Sequence, residues 1–359
     1  MQPTYSPEAE AYREKVQAFL AEKLPTNWKG TGALDAEELA EFVTGWRSTL
    51  YESGYLAPGW PVEYGGAGLS ATEQVILAEE FARAGVPTGG PNDAFSIQML
   101  GNTLLMWGTE EQKQHYLPRL LAGEDTWCQG YSEPDAGSDL GNVGLRAELD
   151  GDEWVLNGQK IWTSAGHLAD HIFTLARTDP DSPKHKGISF LLVPMDQPGI
   201  EVRPIKMISG DSEFNEVFYT DARVPKENVI GGVNNGWAVA MSLLGYERGE
   251  AAATGPIRFK GEFARLLKMA QDRGVADDPV IRQKLAWCYS KVQIMGFLGQ
   301  QKRSGGLDAG GLAAMLGQER DAAATQSSGA MGFVTSLLDQ DGDGSVVDDL
   351  ANMASKFMK

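Results

Sequence analysis

The chain has 359 residues, 42% of them hydrophobic, and a formal charge of −18 at pH 7. That length and apolar content support a sizeable core in two or three domains, or one large multilayer unit. The acidity argues against nucleic-acid and anionic-membrane partners, and without a run of about eighteen apolar residues the sequence offers no membrane span.

In chain order, the first 125 residues read as helices. MQPTYSPEAEAYREKVQAFLAEKL is charged and helical in period rather than a signal peptide. A helix is predicted from Pro7 to Leu24, with Ser6 as N-cap and Glu8 in the first turn. Others are predicted over Asp35–Ser53, Thr72–Ala84, Phe95–Trp107 and Glu110–Ala122. The intervening GWPVEYGGAGLS (59–70) lacks the Lys-Ser/Thr ending of a phosphate loop and reads as a structural turn. From about 126 to 232 the period changes to two. WVLNG, KIWTS, HIFTLAR, ISFLLVPM, EVRPIKM and NEVFYTDARVP read as short strands of a small barrel or sandwich. Helical periodicity returns at Gly236, with segments Trp237–Ala253, Ile257–Arg273 and Pro279–Gly299. Cys128 and Cys288 lie far apart and suggest no disulfide framework, so a cytoplasmic location is expected.

The densest chemistry lies between Cys128 and Asp170. CQGYSEPDAGSD and DGDEWVLNGQKIWTSAGHLAD place Ser, Thr, Gly and Trp on strands and turns, where hydroxyls and backbone donors can surround a flat, polar-edged ring. Taken singly, Trp162 could equally be a core tryptophan among turn-forming serines and glycines. Together the two blocks resemble the flavin-binding signature of the acyl-CoA dehydrogenases: [Thr/Ser]-Glu-Pro-x-Ala-Gly-Ser-Asp, then Asn-Gly-x-Lys-x-[Trp/Phe]-x-[Thr/Ser]. The resemblance covers roughly residues 6–303 and extends to WPVEYGGAG, GTEEQKQHYLPRLLAGE, FNEVFYTDARVPKENVIG and GWAVAMSLLGYERG.

The resemblance implies an N-terminal helical domain (1–125), a central β-barrel (126–232) and part of a C-terminal helical bundle (233–303). It implies FAD as cofactor, held by Gln129, Tyr131, Ser132, Trp162, Thr163 and Ser164, with Trp162 packing on the isoalloxazine and Ser164 near N5. Ser138 matches a position that contacts the CoA part of the substrate or the flavin dinucleotide. Glu247, in LLGYERG, matches the catalytic base of isovaleryl-type and steroid-side-chain relatives, with Arg248 beside it on the substrate side. The implied reaction is α,β-dehydrogenation of an acyl-CoA to a trans-2-enoyl-CoA, with electrons passed on to an electron-transfer flavoprotein by a homo- or hetero-oligomer. The alternative is a non-catalytic or partner-dependent subunit of a heteromeric enzyme. An acidic chain repels CoA at long range, so such a site needs local Arg or Lys.

After Ser304 the composition shifts to Gly, Ala, Asp and Met, with eight acidic and three basic side chains over 305–359. This tail resembles a small bacterial helical family unrelated to the rest, and helices are predicted in it at 329–338 and 347–357. Its Asp339, Asp341 and Asp343 form half of a calcium loop, but Leu350 stands where the bidentate Glu belongs, so weak or no metal binding is expected. The four histidines show no ligand spacing.

Overall fold

The computed structural model describes residues 6–303, without the side chains of 246–254 and 298–303. The chain divides into two units, 1–295 and 296–359, and the account below concerns the first. The predicted tail helices and Asp339, Asp341 and Asp343 lie outside the described residues.

Helix ends follow side-chain caps. In α1 (Pro7–Lys23) the Ser6 hydroxyl accepts from the Ala9 amide at 3.3 Å. Reciprocal capping boxes open three more: Asp35/Glu38 on α2 (Ala36–Glu52), Ser70/Glu73 on α3 (Ala71–Ala84) and Thr109/Gln112 on α5 (Glu110–Ala122). Ala9, Tyr12, Val16 and Leu20 form the buried stripe of α1 and share one core with Ile76, Leu77 and Phe81 of α3. Arg47 ties three segments together: it holds Asp93 bidentately at 2.8 and 3.0 Å and donates to the Leu120 and Leu121 carbonyls.

The helix predicted over Phe95–Trp107 is wound differently. Ala94–Gly101 is a π-helical stretch that runs into the short α4 (Asn102–Trp107). Two fixed points bracket it. Asn92 and Ser96 bond the carbonyl and amide of Trp127, each at 3.1 Å, and Trp60 lies where a Cβ on Gly101 would meet its ring at 2.0 Å. Helical periodicity in the sequence reports neither contact.

The strands form one mixed sheet, in the order β6-β7-β3-β2-β4-β5-β8, with β1 (Trp127–Gly130) parallel to β4 (His171–Arg177). The others are β2 (Arg146–Asp150), β3 (Glu153–Ser164), β5 (Ile188–Pro194), β6 (Ile200–Ile205), β7 (Phe214–Pro225) and β8 (Val229–Ile230). Sequence periodicity did not separate out β1, β2 and β8, which are short. The predicted WVLNG and KIWTS strands are one twelve-residue strand, β3, antiparallel to β7 with register breaks at Leu156/Gly158 and Lys160/Thr163. Gly158, at φ 148°, approaches so closely that a Cβ would sit 3.0 Å from the Leu145 Cα. β4 and β5 are buried on both faces. Phe173, Leu175, Phe190 and Leu192 pack toward the helices, whereas Ile172, Ala176, Leu191 and Val193 join a second core with Val217 and Tyr219.

The two helices predicted over 237–273 are one, α6 (Gly236–Asp272), continuous through Pro256. The residue before the proline is Gly255, which has no Cβ to clash with the ring, so the helix loses one backbone bond and continues. Helix α7 (Pro279–Arg303) follows. Phe259, Leu266, Met269, Val280 and Trp287 are exposed on this pair. Among the described residues no helix is long and apolar enough to cross a membrane.

Cys128 is fully buried, and burial pushes its thiol well above the ordinary range, while Cys288 is half-buried on α7. A thiol reagent is therefore expected to modify one cysteine in the native protein and two in denaturant. Rapid native reaction of both would contradict the packing around Cys128.

Candidate functional site

The two sequence blocks meet where β1 leaves the sheet and β3 breaks register. Three successive residues of the first block are anchored to two of the second. Lys160 Nζ donates to the Tyr131 carbonyl at 3.2 Å and to Glu133 Oε1 at 2.7 Å. The Ile161 amide donates to the Ser132 carbonyl at 2.9 Å. Glu133 then binds the chain beyond its own turn, accepting from the Gly144 and Leu145 amides at 2.6 and 2.9 Å.

Lys160 is 0% exposed, which for a lysine demands partners. Burial pushes its ammonium down to about 8, while Glu133 alongside pulls it back up. Neither Lys160 nor Glu133 was among the predicted site residues, although both stand in the two motifs as written. The missed signal was the lone charge of the second motif, Lys160, within reach of a turn motif that carries only acidic charges, Glu133, Asp135 and Asp139.

Beyond Lys160 the β3 backbone turns outward. Trp162 adopts φ 62°, a left-handed conformation unusual for a bulky residue, and its indole is 58% exposed, edge-on to Phe214 at 6.2 Å. Thr163 returns to the ladder and is buried. Its carbonyl accepts from Asn215 Nδ2 at 2.9 Å, whereas its hydroxyl has no partner within the protein. Ser164 is half-buried, and Ala165, at φ 51°, donates to the Glu213 carbonyl at 2.8 Å.

The remaining predicted residues divide. Gln129 is half-buried on β1, and its buried Nε2 has no partner within the protein. Ser132 is half-buried beside it. The Tyr131 ring is a core element, edge-on to Phe173 and Phe190 at 6.2 and 6.4 Å, so the clearest contribution of this residue to the site is its carbonyl. Ser138 is exposed on the following loop, next to Asp139, which pairs with Lys184 at 2.6 Å. Arg177 holds that loop through the Gly141 and Val143 carbonyls and also donates to the Lys184 carbonyl on the β4–β5 connection. Glu247 and Arg248 have their backbone on α6, and their side chains lie outside the described set. A separate cleft of about 640 Å³ lies among the helices, lined by Tyr51, Glu63, Tyr64, Glu110 and Gln114, and none of the predicted site residues borders it. Among the described residues no cluster of His, Cys, Asp or Glu could hold a metal ion.

What these blocks assemble is an exposed indole, half-buried hydroxyls on two segments, and buried polar atoms lacking partners, all referred to one internal ion pair. Such an edge suits a flat ring with polar rims.

Known proteins resemble the chain over most of its length. Residues 6–124 match the acyl-CoA dehydrogenase N-terminal domain and residues 128–222 the acyl-CoA dehydrogenase middle domain. The acyl-CoA dehydrogenase IpdE1 of Mycolicibacterium smegmatis is 44% identical over 302 residues, covering 80% of this chain and 76% of that protein. Among solved structures, the Tcur3481-Tcur3483 steroid ACAD superposes with a TM-score of 0.72 at 34% identity, over 88% of this chain and 81% of that one. The ChsE4-ChsE5 complex from Mycobacterium tuberculosis superposes with a TM-score of 0.69 at 33% identity, over 85% and 78%.

Because Trp162 is exposed in a left-handed conformation, its ring adds little to the fold. Trp162→Gly relieves a backbone strain of about 1–2 kcal/mol, so its unfolding midpoint in denaturant should match or exceed that of the parent. A loss of several kcal/mol would mean that the indole is a core element.

Proposed function

We propose that this chain, which belongs to the acyl-CoA dehydrogenase family, removes one hydrogen each from Cα and Cβ of an acyl-CoA thioester and releases a trans-2-enoyl-CoA, with FAD held by the Gln129–Ser132 and Trp162–Ser164 segments. The observation that carries the reading is the joining of the two signature blocks through Lys160, Ile161 and Glu133.

The residues present fit the flavin. The buried Gln129 Nε2 and Thr163 Oγ1 lack protein partners, as groups reserved for a ligand's polar rim would. Ser132 and Ser164 offer hydroxyls from opposite segments, and the Trp162 indole offers an apolar face. FAD, when bound, supplies the hydride acceptor for the Cβ hydrogen.

The chain's own chemistry is then a proton abstraction. Glu247 takes the Cα proton, a role supported by its match to the base position of isovaleryl-type relatives and by its location on α6, the helix that packs against β5 and the π-helical segment. Ser138, on a loop held by Arg177 and flanked by Lys184, contacts the CoA portion, and Arg248 orients Glu247 at the substrate. Lys184 and Lys186 supply the local positive charge that an acidic chain needs to receive an anionic thioester.

The similarity to a steroid ACAD and to a two-component complex supports a bulky acyl group and an assembly of two unlike subunits. An electron-transfer flavoprotein is the expected electron acceptor.

The test is the visible spectrum of the purified protein, taken with FAD before and after an anaerobic acyl-CoA mixture that includes steroid side-chain thioesters. A flavin spectrum that bleaches is expected. A protein that stays colourless with excess FAD would overturn the reading. Glu247→Gln should keep its flavin and lose substrate-dependent bleaching by about 100-fold or more. Bleaching at the parent rate would assign the base to another carboxylate.

A further inference from the structure

We propose that Lys160 and Glu133 are positioning residues of this site, a buried ionic clamp that sets the Ser132 hydroxyl and the Trp162–Ser164 turn at one fixed separation and angle. The inference rests on the reading that these segments hold FAD.

The first ground is where the sheet ladder stops. After the first register break, β3 and β7 pair from Gly158/Tyr219 to Lys160/Val217 and again from Thr163/Asn215, so Ile161 and Trp162 lie in a gap. A bulge left to itself can rock about its ends. Here its leading edge is held from the other side, by the Ile161 amide on the Ser132 carbonyl and by Lys160 on Tyr131 and Glu133. The clamp begins at the residue where sheet pairing ends.

The second ground is energetic. An apolar pair of similar volume in place of a buried ion pair is often neutral or stabilising. Stability alone therefore does not call for a fully buried ammonium whose carboxylate partner is 9% exposed at its side chain. Direction does call for it. Both oxygens of Glu133 are engaged, Oε1 by Lys160 and Leu145 and Oε2 by Gly144, which leaves the carboxylate no rotational freedom. A methyl-lined contact would fill the same space without fixing an angle, and a ring ligand gripped from two segments is sensitive to displacements of about 1 Å.

The experiment compares the parent with Glu133→Gln and with the double variant Lys160→Met/Glu133→Gln, which carries no buried charge. Three readouts are taken: the unfolding midpoint, hydrogen exchange at the Ile161 amide without flavin, and FAD affinity with the visible circular dichroism of the bound flavin. The double variant should unfold near the parent midpoint, exchange the Ile161 amide faster, and bind FAD at least about tenfold more weakly with an altered dichroic band. Glu133→Gln, which keeps the size and one acceptor but leaves the Lys160 ammonium without its counter-charge, should unfold below both, with Ile161 exchange and FAD affinity between them. If the double variant does not fold, the same shifts in Glu133→Gln carry the test. Variants that fold, protect Ile161 and bind FAD as the parent does would overturn the clamp. A parent that protects Ile161 but never binds FAD would overturn the functional reading instead, so the two failures are distinguishable.

Discussion

An ammonium group sealed from water must be surrounded by acceptors or the fold around it fails, and at Lys160 this requirement organises the middle of the molecule. Its two acceptors, the Tyr131 carbonyl and Glu133, lie on the chain leaving β1, and Glu133 in turn binds the amides that lead into β2. One side chain on β3 thereby joins the end of one strand to the start of another. Breaking the set by removing a single partner leaves an uncompensated charge in the interior, which costs about 3–5 kcal/mol in comparable settings.

The sheet could not present this edge without its helical support. β1 pairs on one side with β4, and the backbone of its first residue, Trp127, is satisfied by Asn92 and Ser96 from the helical region. At the far edge, Gln112 of α5 reaches the carbonyls of Glu227 and Val229 at 2.8 and 3.0 Å. A shared apolar core lies between these polar stitches, with Trp127, Phe173 and Phe190 of the sheet packed with Leu100, Leu104 and Leu117 of the helices. Apolar burial supplies the main attraction between the layers, and the side-chain-to-backbone bonds determine their registration.

The bulge at Trp162 shows local rules giving way to tertiary contacts. A large aromatic residue in a left-handed conformation, more than half exposed, breaks both the backbone and the burial preferences of tryptophan. Such departures persist where the surroundings over-determine them, here through Thr163 on Asn215, Ala165 on Glu213 and Ile161 on Ser132. The same residue is the one proposed above to offer its face to the flavin.

The sequence by itself determined where α1, α2, α3 and α5 start, because caps such as Ser6 and Thr109 act within a few residues of the backbone groups they satisfy. It also determined the change of period at the sheet, the motif pair, and through them the family, since these are patterns of residue type along the chain. Tertiary structure decided what depends on partners distant in sequence. The π-helical winding answers to Trp60 and Trp127, α6 runs through Pro256, and WVLNG and KIWTS fuse into one bulged strand against β7. Above all, it decided that the Lys of Asn-Gly-x-Lys is buried on the Glu of Ser-Glu-Pro, 27 residues away. Residue type announces the charge of a lysine, but only the packing of strands around it removes the water and makes that charge a structural constraint.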